Sequence, residues 1–328
     1  MLGRKKVIVW LVVLLGVSGV FLFLSFINGD REKVAEWLGM GKAVYFADTA
    51  LEGAIREELQ QPRGVIRDQE LAELTSLSLT VPEMIDLTGI EYCVNLESLY
   101  LLGSFSDLSP LGGMINLEVL DITGSFSDIR PLSKMDKLLF LELVSGTKID
   151  LEALSSLSNL RTLSLASNEI INLEQLSGLS NLRSLSLIIL GPIHDLSSLS
   201  EMSNVESLTL VNHSISDIGP VGEMTNLESL VLDGNQIQDI KALRGLTNLW
   251  SLHLRHTQVS EIGSLSGLAN LEFLQLIGNP IRDIGPLRDL KNLEFLRLKD
   301  TPLNETAYED HIPALEARGV EVIFERKQ

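Results

Sequence analysis

Asparagine followed by an aliphatic residue recurs at Asn95, Asn116, Asn159, Asn181, Asn204, Asn226, Asn248, Asn270 and Asn292, at spacings of 21 to 23 residues once Lys137 is counted in the single gap. Each interval reads N-L-x-x-L-x-L, then a loop, then D-I-x-x-L-x-x-L; Asn159 to Asn168 is the cleanest copy. A unit this short cannot bury its own apolar face, so neighbouring copies must stack. The alternation in L-x-L predicts a short strand with its leucines pointing one way. In-register stacking then gives a parallel sheet with strands about 4.8 Å apart. The D-I-x-x-L segment returns the chain on the other side in a short 3₁₀ or irregular turn. Pro110, Pro131, Pro220 and Pro286 recur there at one position, compatible with the start of a helical turn.

The copies keep their core columns. One runs Leu99, Leu120, Leu141, Leu163, Leu185, Leu208, Leu230, Leu252, Leu274 and Leu296; another starts at Cys93 and continues through Met114, Met135 and Leu157. Cys93 therefore reads as an inert core thiol. Being the single cysteine, it also excludes an intrachain disulfide or a CxxC metal site. Length changes fall in the loop after the strand, where a register-preserving stack must place them. The GSFSD segments at 103–107 and 124–128 look like a duplicated unit. The column after the strand calls for an asparagine that satisfies backbone groups at the bend. Asn168, Asn235 and Asn279 supply it, Ser104, Ser125, Thr257 and Thr301 substitute in part, and Leu190 cannot, so the backbone is expected to adjust there.

Both ends of the stack need covers. Thr49 to Glu52 fits a capping box opening a helix that carries Leu51, Ile55 and Leu59, with a second short helix near Asp68. After the repeats, Asn304 caps a helix, Gly319 ends another turn, and Val320 to Phe324 forms a last strand. The expected division is a cytoplasmic tail at 1–6, a transmembrane signal-anchor helix at 7–28, a linker at 29–47, a helical cap at 48–70, repeats at 71–301 and a C-terminal cap at 302–328. The anchor rests on 21 apolar-rich residues from Val7 to Ile27 behind Arg4, Lys5 and Lys6. A cleavable signal peptide, giving a secreted protein, is the alternative; the length of the run and the absence of a small-x-small site favour the anchor. The basic flank stays cytoplasmic and places the repeats outside.

Removing those three bases leaves 23 Lys and Arg against 44 Asp and Glu, a net charge of −21 beyond residue 27. Such a field repels nucleic acid and favours solubility. No Walker loop, GxSxG or HExxH occurs, and the five histidines do not gather in sequence, so no catalytic residue is assigned. The acidic column Asp86, Asp107, Asp128, Asp150, Asp195, Asp217, Asp239, Glu261 and Asp283 supplies one carboxylate per turn. Calcium needs six to eight converging oxygens, so the column reads as local turn capping, with no metal and no cofactor expected.

The 22-residue copies resemble the leucine-rich repeats of the bacterial internalin family and related SDS22-like proteins, over roughly residues 48–325 and including the preceding helical cap. The resemblance implies an α/β solenoid: a leucine-rich-repeat horseshoe with parallel strands on the concave face, 3₁₀ or irregular turns on the convex face, and capped ends. It also implies a protein partner held on the concave face. The sequence shows no immunoglobulin-like region and no LPxTG sorting tail, so host invasion is not carried over.

Concave-face residues alternate with the core leucines. Their middle turns carry mostly Ser, Thr and Ala. The last three turns gather Trp250, His253, Arg255, Phe273, Gln275, Phe295, Arg297 and Lys299, a basic and aromatic cluster suited to a partner of acidic character. Tyr100, Asp121, Phe140 and Glu142 form a weaker cluster at the other end. Stacked phenylalanines that merely cover the sheet, beside a solvated arginine, are the competing reading.

Overall fold

In the computed structural model, residues 10–13, 22–25, 39, 41–84, 86–193 and 195–326 are described. Two four-residue strands, β1 (Trp10–Val13) and β2 (Leu22–Ser25), pair antiparallel. The main body is one parallel sheet of 12 strands. Its first ten members in chain order are β3 (Ser76–Thr80), β4 (Ser98–Leu102), β5 (Val119–Gly124), β6 (Phe140–Ser145), β8 (Thr162–Ser167), β10 (Ser184–Ile189), β11 (Ser207–Val211), β12 (Ser229–Val231), β13 (Ser251–His253) and β14 (Phe273–Gln275). β15 (Phe295–Arg297) and β16 (Glu321–Ile323) complete it. β7 (Lys148–Asp150) and β9 (Glu169–Ile171) form a separate parallel pair beside β6 and β8.

Register follows the leucine column. Leu141 faces Leu163, which faces Leu185, and the match continues through Leu208 to Leu296. All ten leucines of that column are buried, as are Cys93 and the methionines and leucines aligned with it. Burial, with Glu91 nearby, pushes the Cys93 thiol up to about 12, so it remains protonated and unreactive.

The return segments are short 3₁₀ turns. Pro110, Pro131, Pro220 and Pro286 are the second residues of the turns Ser109–Gly113, Arg130–Lys134, Gly219–Glu223 and Gly285–Asp289. The acidic column starts these turns. Asp86, Asp107, Asp128, Asp150, Asp195, Asp217, Asp239 and Asp283 each accept the backbone N–H two residues on, at 2.7–3.0 Å. Asp217→Ala removes one such bond and should cost about 1 kcal/mol, read as a lower urea midpoint with an unchanged slope.

A second polar series joins the turns of successive copies. The nine repeat-marking asparagines each donate from Nδ2 to a backbone carbonyl of the preceding copy. Lys137, in the gap, donates to the Asn116 side chain at 2.8 Å. The repeat signature is thus itself a hydrogen-bonded ladder.

The inner polar column departs from expectation at Asn168 and at Ser104 and Ser125, which are exposed beside the buried Phe105 and Phe126. Asn235 and Asn279 are buried and satisfy backbone groups of two copies. Asn168 is exposed, and its side-chain amide donates to the Gly146 carbonyl. In that region the strands run one step further, and the buried hydroxyls of Ser145 and Ser167 point inward instead. Leu190 is 82% exposed, while β10 extends to bury Ile189: the expected backbone adjustment.

The next copy places His213 in the asparagine column. It is fully buried, with Nε2 2.8 Å from the Leu187 carbonyl. Burial lowers its pKa below the ordinary 6.5, against the pull of the Leu187 and Gly191 carbonyls. Between the lowered value and 6.5 the unfolded chain binds a proton that the folded chain does not, so stability falls as pH drops below about 6.5. His253 is shifted in the same direction. His213→Asn should therefore flatten part of the slope between pH 7.5 and 5, measured by chemical denaturation at each pH. An unchanged slope would dismiss His213 as its source.

At the N-terminal end, α1 (Thr49–Glu58) buries Leu51 and Ile55. Its cap is Asp48, one residue before the expected capping box, and the Asp48 carboxylate accepts the N–H groups of Ala50 and Leu51. Aspartate accepts these bonds as a charged oxygen, which favours it over Thr49. α2 (Asp68–Leu71) follows. Val44 is buried, and its N–H bonds to the Ile66 carbonyl, so part of the expected linker packs with the cap. At the other end, Asn304 accepts the Ala307 N–H ahead of a π-helical turn at Ala307–His311 and α3 (Ile312–Glu316). Gly319, at φ 92°, turns the chain into β16.

The expected helix at 7–28 differs where it can be compared. Its described residues are the strands β1 and β2, and the remainder of the segment lies outside the described residues. Among the described residues no helix is long and apolar enough to cross a membrane. The physical reason is compositional: a run rich in Val, Ile, Trp and Phe has strong strand propensity, and hydropathy alone does not choose between helix and strand.

Candidate functional site

The strand register assembles the C-terminal cluster. Phe273 and Phe295 occupy one column of adjacent strands, and Trp250 lies just before β13 at the rim, 41% exposed. Trp250 meets Phe273 edge-on, with ring centroids 5.8 Å apart at 84°; Phe273 and Phe295 lie 6.2 Å apart at 41°. The Arg297 guanidinium sits over the Phe295 ring, 5.1 Å from its centroid. Such contacts pre-order aromatic surface, which lowers the entropic cost of binding.

Polar groups line the next columns. The Gln275 amide donates to His253 Nε2 at 3.1 Å. Burial chiefly, with Arg255 and Arg297, holds His253 below its ordinary pKa against the pull of Asp233, so it is neutral at pH 7. Gln275 Oε1 and Arg297 Nε are buried without a hydrogen-bond partner. Each is a desolvated polar atom whose hydrogen bond is left unmade in the folded chain.

The cluster is less basic than its composition suggests. Asp233, two residues past β12, accepts Arg255 Nε at 2.7 Å and the Arg255 backbone N–H at 2.7 Å, with Nη2 also at 2.7 Å. Lys299 pairs with Glu325 at 2.8 Å, and that carboxylate holds its pKa above the usual lysine value. Arg297 alone of the three has no ion pair among the described residues. An attraction to acidic partners thus rests on one guanidinium. Asp233 was readable as the cross-strand neighbour of Arg255 in the same column. Glu325 was not, because only the C-terminal cap brings it to Lys299.

The weaker cluster divides differently. Tyr100 and Phe140 are not brought together, because β5 lies between their strands. Asp121 and Glu142 are register partners on adjacent strands. A shallow cavity of about 250 Å³ lies beside them, lined by residues that include Leu79, Tyr100, Leu102, Asp121 and Thr123. Burial raises the pKa of both carboxyls; Glu142 is raised further by Asp121, and a Ser164 hydroxyl bond opposes this.

Among the described residues no group of three or more His, Cys, Asp or Glu is placed to hold a metal ion. His256 follows the strand at φ 50°, and the His253 imidazole is engaged by Gln275.

A parallel stack with buried leucine columns, asparagine ladders and capped 3₁₀ turns defines a leucine-rich-repeat solenoid. A leucine-rich-repeat family model matches residues 203–259. Among solved structures, an internalin of Listeria monocytogenes, InlF, aligns at 27% identity and TM-score 0.69, over 86% of this chain and 91% of that one. The functional domain of Listeria monocytogenes InlJ aligns at 21% identity and TM-score 0.70, over 87% of this chain and 62% of that one. A leucine-rich-repeat protein of Leptospira interrogans aligns at 20% and 0.63, over 78% and 73%. No curated protein sequence matches the chain. The chain is an internalin-like leucine-rich-repeat protein.

Proposed function

We propose that this protein holds a protein partner on its concave strand face, with the C-terminal turns as the principal contact, outside the cytoplasmic membrane and tethered to it by residues 7–28. The observation that carries the reading is the ladder of exposed Trp250 and half-buried Phe273 and Phe295 with Arg297 on its last ring. Aromatic and arginine side chains supply most hot-spot energy at interfaces, and here they are held in one arrangement before a partner arrives. Phe273 and Phe295 sit on the strand face rather than in the core, so the fold does not need them.

What supports the tether is the apolar run Val7 to Ile27 behind Arg4, Lys5 and Lys6, a basic flank that stays on the cytoplasmic side. Retention in the membrane fraction after alkaline extraction is expected. Recovery of the repeats in the medium, shortened at the N-terminus, would favour the secreted alternative.

The partner contact is tested by crosslinking in the native envelope. Phe273→Ala with Phe295→Ala should reduce the crosslinked species at least about tenfold, with the thermal midpoint of the purified protein nearly unchanged. An undiminished crosslink would assign the aromatic ladder to sheet coverage alone.

A further inference from the structure

The charges left without an ion pair on the concave face have opposite sign at its two ends. Asp121 and Glu142 sit together near the N-terminal end, partly buried, with no ion pair to either among the described residues. The strand residues that alternate with the core leucines include no lysine or arginine from β3 to β12. At the other end Arg255 and Lys299 are neutralised within the molecule, while Arg297 has no ion pair, and its Nε is buried without a partner. Gln275 Oε1, one strand away, is likewise unpartnered. Between the ends lies a floor of small side chains, Thr162, Ser164, Ser184, Ser186, Ser207 and Thr209 among them.

We infer that the occupant of this face is an extended segment of a partner protein carrying a cationic side chain at one end and a carboxylate at the other. This deepens the concave-face reading and rests on it. Two adjacent carboxylates in a partly desolvated setting repel each other and resist ionisation, as their raised pKa values express. A lysine or arginine from a partner relieves both penalties at once. Tyr100 and Leu102, 40% and 41% exposed beside the shallow cavity, offer apolar surface for the stem of that side chain. Arg297, anchored on Phe295, presents its guanidinium to a carboxylate.

The span sets the spacing. From β5 to β15 there are eight steps across the sheet, about 38 Å at about 4.8 Å per step. An extended chain covers that distance with about eleven residues at about 3.5 Å each. The Ser and Thr floor gives such a segment a low path over β8 to β11, and past β12 it runs along Phe273 and Phe295. A compact partner that touches only the C-terminal ladder would have no use for Asp121 and Glu142.

The test is selection of displayed random 14-residue peptides on the full chain, followed by affinity measurements on the variants Asp121→Asn/Glu142→Gln and Arg297→Gln. Enriched peptides should pair a Lys or Arg with an Asp or Glu about nine to twelve residues away. The acidic-end variant should weaken them about tenfold or more, and Arg297→Gln about fivefold or more. The acidic-end variant should also fold with an unchanged or higher melting temperature, because it removes mutual repulsion; this separates lost binding from lost structure. Enriched peptides without that charge pair, or binding indifferent to the acidic-end variant, overturns the inference. So does a selection that enriches nothing. If the native crosslink depends on Phe273 and Phe295 but not on Asp121 and Glu142, the bipolar segment is rejected while the concave-face reading stands.

Discussion

Asn235→Ala is expected to lower the stability of the solenoid by about 3–5 kcal/mol, whereas Asn168→Ala, in the same repeat column, should cost less than about 1 kcal/mol. Asn235 accepts the N–H groups of His213 and Ile215 at 3.1 Å, and donates to the carbonyls of Leu210 and Leu232 at 2.8 and 2.9 Å. Alanine would leave these four backbone groups buried and unpaired, each at a cost of about 1–3 kcal/mol before relaxation or water entry reduces it. Asn168 is exposed, so water replaces what its side chain gives up. Urea denaturation of both variants, with hydrogen exchange to locate the opening, checks the contrast. Similar losses at the two positions would mean that the column acts uniformly and that the structural distinction carries no energy. Because each copy touches mainly its neighbours, the Asn235 variant should first lose protection around β11 and β12.

The second large effect lies in the two shortened copies. Counting back two residues from the turn-capping aspartate, Ile193, Ile215, Ile237 and Ile281 occupy a buried loop column. In the shorter copies that column holds Phe105 and Phe126, both fully buried, with near-parallel rings 6.5 Å apart. A loop with one residue fewer is filled by a larger side chain. Phe105→Ala should therefore cost about 3–5 kcal/mol, more than an isoleucine-to-valine change at Ile237, which should cost about 1 kcal/mol. The space is closely fitted: a Cβ added at Gly103 or Gly124 would approach the Phe105 ring to 2.9 Å. Gly124→Ala is accordingly destabilising too, and the Phe105→Ala/Phe126→Ala double variant should fall short of the sum of its parts, since the rings share one cavity. Chemical denaturation of the four variants decides it. A loss below about 1 kcal/mol for Phe105→Ala would show that the loop collapses freely.

These expectations separate what repeats dictate from what a particular copy does with them. The leucine columns, the turn-capping aspartates, the inert Cys93 and the placement of indels were all legible in the chain, because each is a periodic demand that every copy must meet. The candidate site was legible only in part. Alternation put Phe273, Phe295, Gln275 and Arg297 on the outer face, but residue types cannot announce that Arg255 and Lys299 are already neutralised. Lys299 finds Glu325 through the fold of the C-terminal cap, and its separation in sequence carries no signal of that meeting.

By itself, then, the sequence determined the architecture: a unit too short to bury its own face has one solution, stacking in register, and hydrophobic period sets the strand direction. Tertiary structure alone decided which asparagine is buried, that His213 takes an asparagine's place, how phenylalanine fills a shortened loop, and where charge on the concave wall goes unanswered. Those outcomes depend on strand length and on distances between copies, which vary by an ångström or two without altering the repeat. A burial or an ion pair is won or lost within that distance.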